Sequence, residues 1–204
     1  LYRSQGDRRG QARCHNNMGI IYTQWGDWEN ARQTLTTAIS IGRTAGTPDL
    51  WGLAALNLGV VHLKNGDYDK ARELLGEAQA LFAGVKHSER QLYALYNLAY
   101  LDRERGEHES AAELYEVAAG VAQRIGHSDV EIGAQAGAGL SLLKRGDIEG
   151  ARKASAKANE GLRQRSGWFQ GRELVDALTA LILAQDGQVG DAVKHFEGAL
   201  ELAE

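Results

Sequence analysis

The stretch Asn57-Leu58-Gly59-Val60-Val61-His62-Leu63-Lys64-Asn65-Gly66-Asp67-Tyr68-Asp69-Lys70-Ala71-Arg72-Glu73-Leu74-Leu75-Gly76-Glu77-Ala78 decides the fold. An apolar helical run stops at Asn65-Gly66, and Asp67 opens a second one. Glycine just past a helix end takes the left-handed conformation at little cost, and aspartate at an N-cap accepts from the unpaired N–H groups of the next first turn. The stretch therefore reads as a helix–turn–helix hairpin, with Asp67 as the cap of the second helix. The chain repeats it: turn glycines stand at Gly26, Gly66, Gly106, Gly146 and Gly187, spaced 40, 40, 40 and 41 residues apart.

Other columns keep the same register. Twelve residues separate Gly19 from Ala31, Gly59 from Ala71, Ala99 from Ala111, Gly139 from Ala151 and Ala180 from Ala192. Seven residues on come Ala38, Ala78, Ala118, Ala158 and Ala199, and between the two alanines stand Leu35, Leu75, Tyr115, Ser155 and Phe196. Small residues at these points let two helices approach closely while the larger one fills the gap. Two residues past each turn glycine the chain carries Trp28, Tyr68, His108, Ile148 and Val189, mostly apolar.

Working outward, the spacing predicts ten helices of about 15–18 residues joined by short loops, in line with the usual connections between bundle helices. The first runs from about Arg8 to Trp25 and its partner from Gly26-Asp27 to about Ala45, with residues 1–3 as the last turn of a preceding helix. Thr47 reads as an N-cap with Pro48 at the first helical position, where its missing N–H costs nothing. Ser88 with Gln91, and Ser128 with Glu131, read as capping boxes. The fifth pair opens around Trp168 and ends near Glu204. The five hairpins occupy approximately 8–45, 48–85, 88–125, 128–165 and 168–204 in a single array over residues 1–204. The chain begins at Leu1 in mid-pattern, as expected of a fragment of a longer protein. The first helix of the fourth pair, with Gly133, Gly137 and Gly139 inside it, is expected to be the weakest, since each interior glycine costs about 1 kcal/mol relative to alanine.

Composition narrows the function. The 204 residues are 43% hydrophobic and 25% charged, with one proline against 25 glycines, and the net charge is −4 from 23 basic and 27 acidic side chains of interspersed sign. No basic face argues for nucleic acid, and no apolar run or signal pattern argues for a membrane or for export. The lone Cys14 excludes an internal disulfide framework and favours a reducing, cytoplasmic setting. The six histidines make no i,i+4 pair or Cys/His cluster, so no metal is expected. Gly137-Ala138-Gly139 lies inside a helix with no preceding strand, so no phosphate loop or cofactor is expected either.

The ladder of small residues with an aromatic or aliphatic side chain between them resembles the tetratricopeptide repeat, whose usual unit is about 34 residues. The forms Gly6-Asp7-Arg8-Arg9-Gly10-Gln11-Ala12-Arg13, and Asn57-Leu58-Gly59 through Gly66-Asp67-Tyr68, resemble its long subclass of about 40 residues. That subclass is found in spindle-orientation adaptors, kinesin light chains and bacterial signalling proteins. The resemblance implies an all-α, right-handed superhelical α-solenoid of five hairpins, with the first helix of each pair on the concave side. It implies a non-catalytic scaffold that binds a protein or peptide segment; the alternative is a ligand-sensing or regulatory module of a larger bacterial signalling or transcription-regulating protein.

The candidate site follows from register. Asn17, Asn57 and Asn97 fall in one column, and helices spaced roughly 8–10 Å apart would set them in a row. An extended peptide rises about 3.3 Å per residue, so such a row meets its backbone about every third residue. Asparagine offers both donor and acceptor to a peptide group. The rival role is bonding between neighbouring helices of the scaffold itself. Tyr93, Tyr96 and Tyr100 share a face around Asn97 and read as an aromatic wall or as core. Leu53, Leu56 and Val60 add apolar surface, and Gly133 and Gly137 read as the bare floor of a depression, unless helix packing closes it.

Tyr22, His62 and Asp102 share another register. They suggest a catalytic trio, but no serine, cysteine or threonine nucleophile accompanies them at fixed spacing. A buried hydrogen-bonded ladder is expected instead, with Tyr22 or Asp102 beside His62. An exposed apolar end face near Glu204 points to end-to-end self-association.

Overall fold

The structure is a computed structural model that describes residues 6–165 and 171–201. Among them run ten α-helices: α1 (Arg8–Gln24), α2 (Trp28–Thr44), α3 (Pro48–Lys64), α4 (Tyr68–Gly84), α5 (Ser88–Glu104), α6 (His108–Ile125), α7 (Ser128–Lys144), α8 (Ile148–Arg163), α9 (Arg172–Gln185) and α10 (Val189–Glu201). No strand occurs among the described residues, and no described helix is long and apolar enough to cross a membrane. The turn expected at residues 1–3, the opening at Trp168 and the end at Glu204 lie outside the described residues. Helix α9 has 14 residues, shorter than expected, and α10 is described over 13.

All five turn glycines have positive φ, between 72° and 84°. The connections between hairpins use the same device: Gly46 and Gly126 have φ of 64° and 72°, and Lys86, in the same register, is forced to 54°.

The chain divides into two compact units, Leu1–Leu101 and Asp102–Glu204. In the first, α1 pairs with α2 and α3 with α4 around Leu35, Val61, Leu75 and Phe82, all but closed to solvent, with Ala94 and Leu101 of α5 in the same cluster. In the second, Ile132, Ala136, Ala158, Val175, Leu178 and Ile182 form a core across α7, α8 and α9.

The small-residue ladder has the expected physical role. A Cβ on Gly19 would lie 2.4 Å from Leu35 Cγ, one on Gly59 2.8 Å from Leu75 Cγ, and one on Gly139 2.4 Å from Leu178 Cδ2. These separations are far inside van der Waals contact, so the side chain of one helix occupies the space a larger residue would need. Ala31, Ala71, Ala111 and Ala151 are all fully buried opposite.

Two cap expectations are corrected. His127, not Ser128, precedes α7, and α5 likewise begins at Ser88 itself. The capping boxes do not form, because each serine already lies inside its helix. At α5 the imidazole Nδ1 of His87 accepts from the Arg90 backbone N–H at 3.4 Å, so a histidine does the capping. Asp7, Asp27 and Asp147 cap through their carboxylates, bonding the N–H groups of Gly10, Asn30 and Gly150. Asp67 holds the same backbone position but makes no cap bond. Its carboxylate is turned instead to His62 Nδ1 at 3.2 Å and Lys70 Nζ at 3.3 Å. Thr47 precedes Pro48 as expected, yet its hydroxyl donates to the Gly42 carbonyl at 3.1 Å rather than capping α3.

Candidate functional site

Three helices of the first unit carry side chains at matching positions one helical turn apart. Helix α1 offers Arg13, Asn17 and Ile20, all exposed; α3 offers Leu53, Asn57 and Val60, all half-buried; α5 offers Tyr93, Asn97 and Tyr100, exposed or half-buried. The i, i+4, i+7 spacing puts each trio on one face of its helix. Each trio therefore presents an asparagine between two larger groups. Leu53, Val60 and Tyr100 also pack against the core of this unit, which fixes where their outer faces lie.

The asparagines are tied down by the scaffold. Asn57 Nδ2 donates to Asn16 Oδ1 at 2.9 Å, linking α3 to α1, and Asn16 Nδ2 reaches Asn17 Oδ1 at 3.4 Å. Asn97 Nδ2 donates to the Tyr93 carbonyl of its own helix at 2.7 Å. Side-chain amides have two N–H donors and an oxygen with two lone pairs. One bond each leaves the three ladder amides with hydrogen-bonding capacity while holding their planes. Further ties join these helices: Arg9 meets Asp49 at 3.3 Å and Arg90 donates to the Asp49 carbonyl at 2.8 Å.

Several expected site residues sit elsewhere. Leu56 is 7% exposed and belongs to the core, because its neighbours Asn57 and Leu53 take the outward positions. Gly133 and Gly137 belong to the second unit and are buried. Gly137 is not an open floor: a Cβ there would meet the Tyr115 ring of α6 at 2.6–2.8 Å. Glycine is used at that point so that Tyr115 can lie against α7. Tyr93, Asn97 and Tyr100 fall on the shared face with Asn17, Leu53, Asn57 and Val60; Tyr96 is half-buried one position away.

Sequence reasoning missed Arg13, Asn16 and Ile20. The first and last stand one repeat before Leu53 and Val60, so the same register contains them. Asn16 has no such signal, since the following repeat has Leu56 in its place.

Tyr22, His62 and Asp102 each have a neighbour of their own. Tyr22 meets Trp25 edge-on with ring centroids 6.2 Å apart, His62 faces Asp67, and Asp102 accepts a hydrogen bond from Ser110. Each of these neighbours is close in sequence: Trp25 ends the helix of Tyr22, Asp67 precedes α4, and Ser110 lies in α6. Burial lowers the His62 pKa, and the Asp67 charge pulls it partly back. For Asp67, burial pushes the pKa up, but the hydrogen bond and charge of Lys70 and the charge of His62 outweigh it and leave it lowered. Among the described residues no group of three or more His, Cys, Asp or Glu side chains is arranged to hold a metal ion.

Comparison with known proteins agrees with this fold. Two family models described as tetratricopeptide repeat match residues 52–124 and 12–42. No curated protein sequence matches the chain. Solved structures similar to it include the kinesin light chain of nearly identical TPR-like repeats from Podosopora anserina, 18% identical over 94% of each chain with a TM-score of 0.72. BtubC (BKLC) from P. vanneervenii is 16% identical, with 99% of this chain and 83% of that one covered and a TM-score of 0.80. A Rap protein complexed with competence and sporulation factor is 13% identical, with 95% of this chain and 54% of that one covered and a TM-score of 0.74.

Proposed function

The chain belongs to the tetratricopeptide-repeat family, and from that premise we propose that it is a non-catalytic scaffold whose α1, α3 and α5 faces bind an extended segment of a partner protein. The observation that carries this reading is the bond from Asn57 to Asn16 beside the exposed Asn17. It fixes amides on adjacent helices before any ligand arrives. Pre-ordered groups lose less freedom on binding, so each contact contributes more to affinity. The apolar groups above and below, Ile20, Leu53, Val60, Tyr93 and Tyr100, suit alternate side chains of an extended peptide, whose backbone the amides would clamp.

A second reading uses the same face in a sensor. The chain spans 54% of the Rap protein to which it is similar, and that protein is seen with competence and sporulation factor. On this reading the chain is the ligand-sensing part of a larger signalling protein.

Self-association is part of the proposal. Met18 and Ile21 of α1, Trp25 just past its end, and Val193, Phe196 and Leu200 of α10 are all exposed. Leu35, Leu75 and Tyr115, in register with Phe196, are wholly buried. End-to-end contact between copies would cover these stripes as internal repeats cover theirs.

Selection of peptides from a displayed random library against the whole chain tests the binding reading. Peptides recovered should bind Asn57→Ala and Asn97→Ala variants at least about tenfold more weakly, the loss of roughly one strong contact. Equal binding would remove this face from consideration.

A further inference from the structure

In the first unit the space between α2 and α4, floored by α3, is closed by its own side chains. The Arg43 guanidinium of α2 lies 4.9 Å over the Trp51 ring of α3 and bonds Glu77 of α4. Beneath it Leu58 is 6% exposed, and Leu74 packs against the core. Two repeats later the same positions carry Gln123, Glu131, Lys157, Ala138 and Ala154.

The bridge has no counterpart there, because glutamine and lysine replace arginine and glutamate. The filling is gone too, since alanines stand where leucines did and a glutamate replaces the tryptophan. What remains in the second unit is a groove of about 1410 Å³ between α6 and α8, floored by α7, lined by all five of these residues. Lys153 and Lys157, one turn apart on the α8 wall, are exposed, and neither has an ion pair among the described residues. Acidic lining lies at Glu131 on the floor and Glu116 on the α6 wall. Asp147 and Glu160 also line the groove, but Asp147 caps α8 and Glu160 is bonded to Arg163 and Gln164. Arg165 is paired with Asp129.

We propose that this groove binds a partner peptide that carries a bulky apolar side chain next to a carboxylate. The apolar group occupies the space over Ala138 and Ala154 that leucines fill in the first unit. The carboxylate pairs with Lys157 and Lys153, replacing the ion pair that Arg43 and Glu77 make there. Glu131 and Glu116 repel an acid elsewhere in the groove, so the acidic end points to α8. The volume exceeds the roughly 300–1,000 Å³ of ordinary small-molecule sites, in keeping with a peptide rather than a metabolite. The proposal uses residues of the second unit alone and does not depend on the α1, α3 and α5 face.

The test uses the whole chain and a fluorescent hexapeptide with central tryptophan and leucine flanked by glutamates, alongside its lysine-flanked counterpart. Binding is followed by anisotropy and by backbone amide shifts. The acidic peptide should bind at least about tenfold tighter than the basic one, as expected for two charge contacts and an anchored aromatic group. Its shifts should centre on Ala138, Ala154 and Lys157. The triple substitution Gln123→Arg, Glu131→Trp, Lys157→Glu rebuilds the closure of the first unit and should abolish the shifts. Ala154→Leu alone should weaken binding, and circular dichroism checks that both variants remain helical. Asn57→Ala should leave this binding unchanged, which separates the site from the face in the first unit. Equal binding of both peptides, or undiminished binding to helical Ala154→Leu and the triple variant, would overturn the proposal.

Discussion

The Asp67 carboxylate stands 3.2 Å from Nδ1 of His62, although Asp67 occupies the position from which Asp7, Asp27 and Asp147 cap their helices. The carboxylate is shared between that imidazole and Lys70 Nζ, 3.3 Å away. His62 is 8% exposed and its pKa is lowered below the ordinary 6.5, chiefly by burial. The unfolded chain therefore binds a proton at this residue at a higher pH than the folded one does. Stability from this group is fully present above about pH 6.5 and falls as the pH drops from there through the lowered folded value. Urea midpoints measured from pH 8 to pH 5 should fall on acidification, and His62→Leu should flatten that fall. Parallel curves for parent and variant would show that His62 is not the group concerned.

Two glycine substitutions should act with opposite sign. Nothing lies within 4 Å of a Cβ added at Gly76, inside α4, so Gly76→Ala should stabilise by up to about 1 kcal/mol. At Gly139 the added atom meets Leu178 Cδ2 at 2.4 Å and Ala154 Cβ at 3.1 Å. Leu178 is fully buried and has nowhere to go. Gly139→Ala should destabilise by about 1–3 kcal/mol despite its better helix propensity. Thermal denaturation of the two variants reads both signs directly.

Lys86 holds φ at +54° where Gly46 and Gly126 stand in other repeats. A non-glycine residue there costs about 1–2 kcal/mol of strain, partly offset by the lower chain entropy it brings. Lys86→Gly should therefore raise stability by about 1 kcal/mol or less, seen as a higher denaturant midpoint with unchanged slope.

The end stripes are tested by mass against concentration. Phe196 is 38% exposed where Leu35, Leu75 and Tyr115 are wholly buried. Sedimentation of the chain should show association at tens of micromolar or above, about the range of a weak interface. Phe196→Glu should abolish it, and a parent chain that stays monomeric at millimolar concentration refutes the end-to-end contact.

The repeat was legible because its signals are local and recur. A glycine with positive φ and an alanine five residues after it recur in every repeat, and an aspartate follows that glycine in three of the five. The failures came where a side chain had two available partners. Asp67 turned to His62 and Lys70 rather than to the backbone of its own helix. Gly137 looked like open floor, but Tyr115 from the preceding helix fills the space. Pairings of that kind depend on distances between helices, which periodicity does not contain. The groove between α6 and α8 was legible in principle, since Ala138 and Ala154 stand in register with Leu58 and Leu74.

The central claim, that the α1, α3 and α5 faces hold an extended segment, is tested most directly by amide-shift mapping with a peptide selected against the whole chain. Saturable shifts centred on Arg13, Asn17, Leu53, Asn57, Tyr93 and Asn97 are expected, and their loss in Asn57→Ala at unchanged helicity. Shifts confined to other residues, or the same affinity for Asn57→Ala, would contradict it.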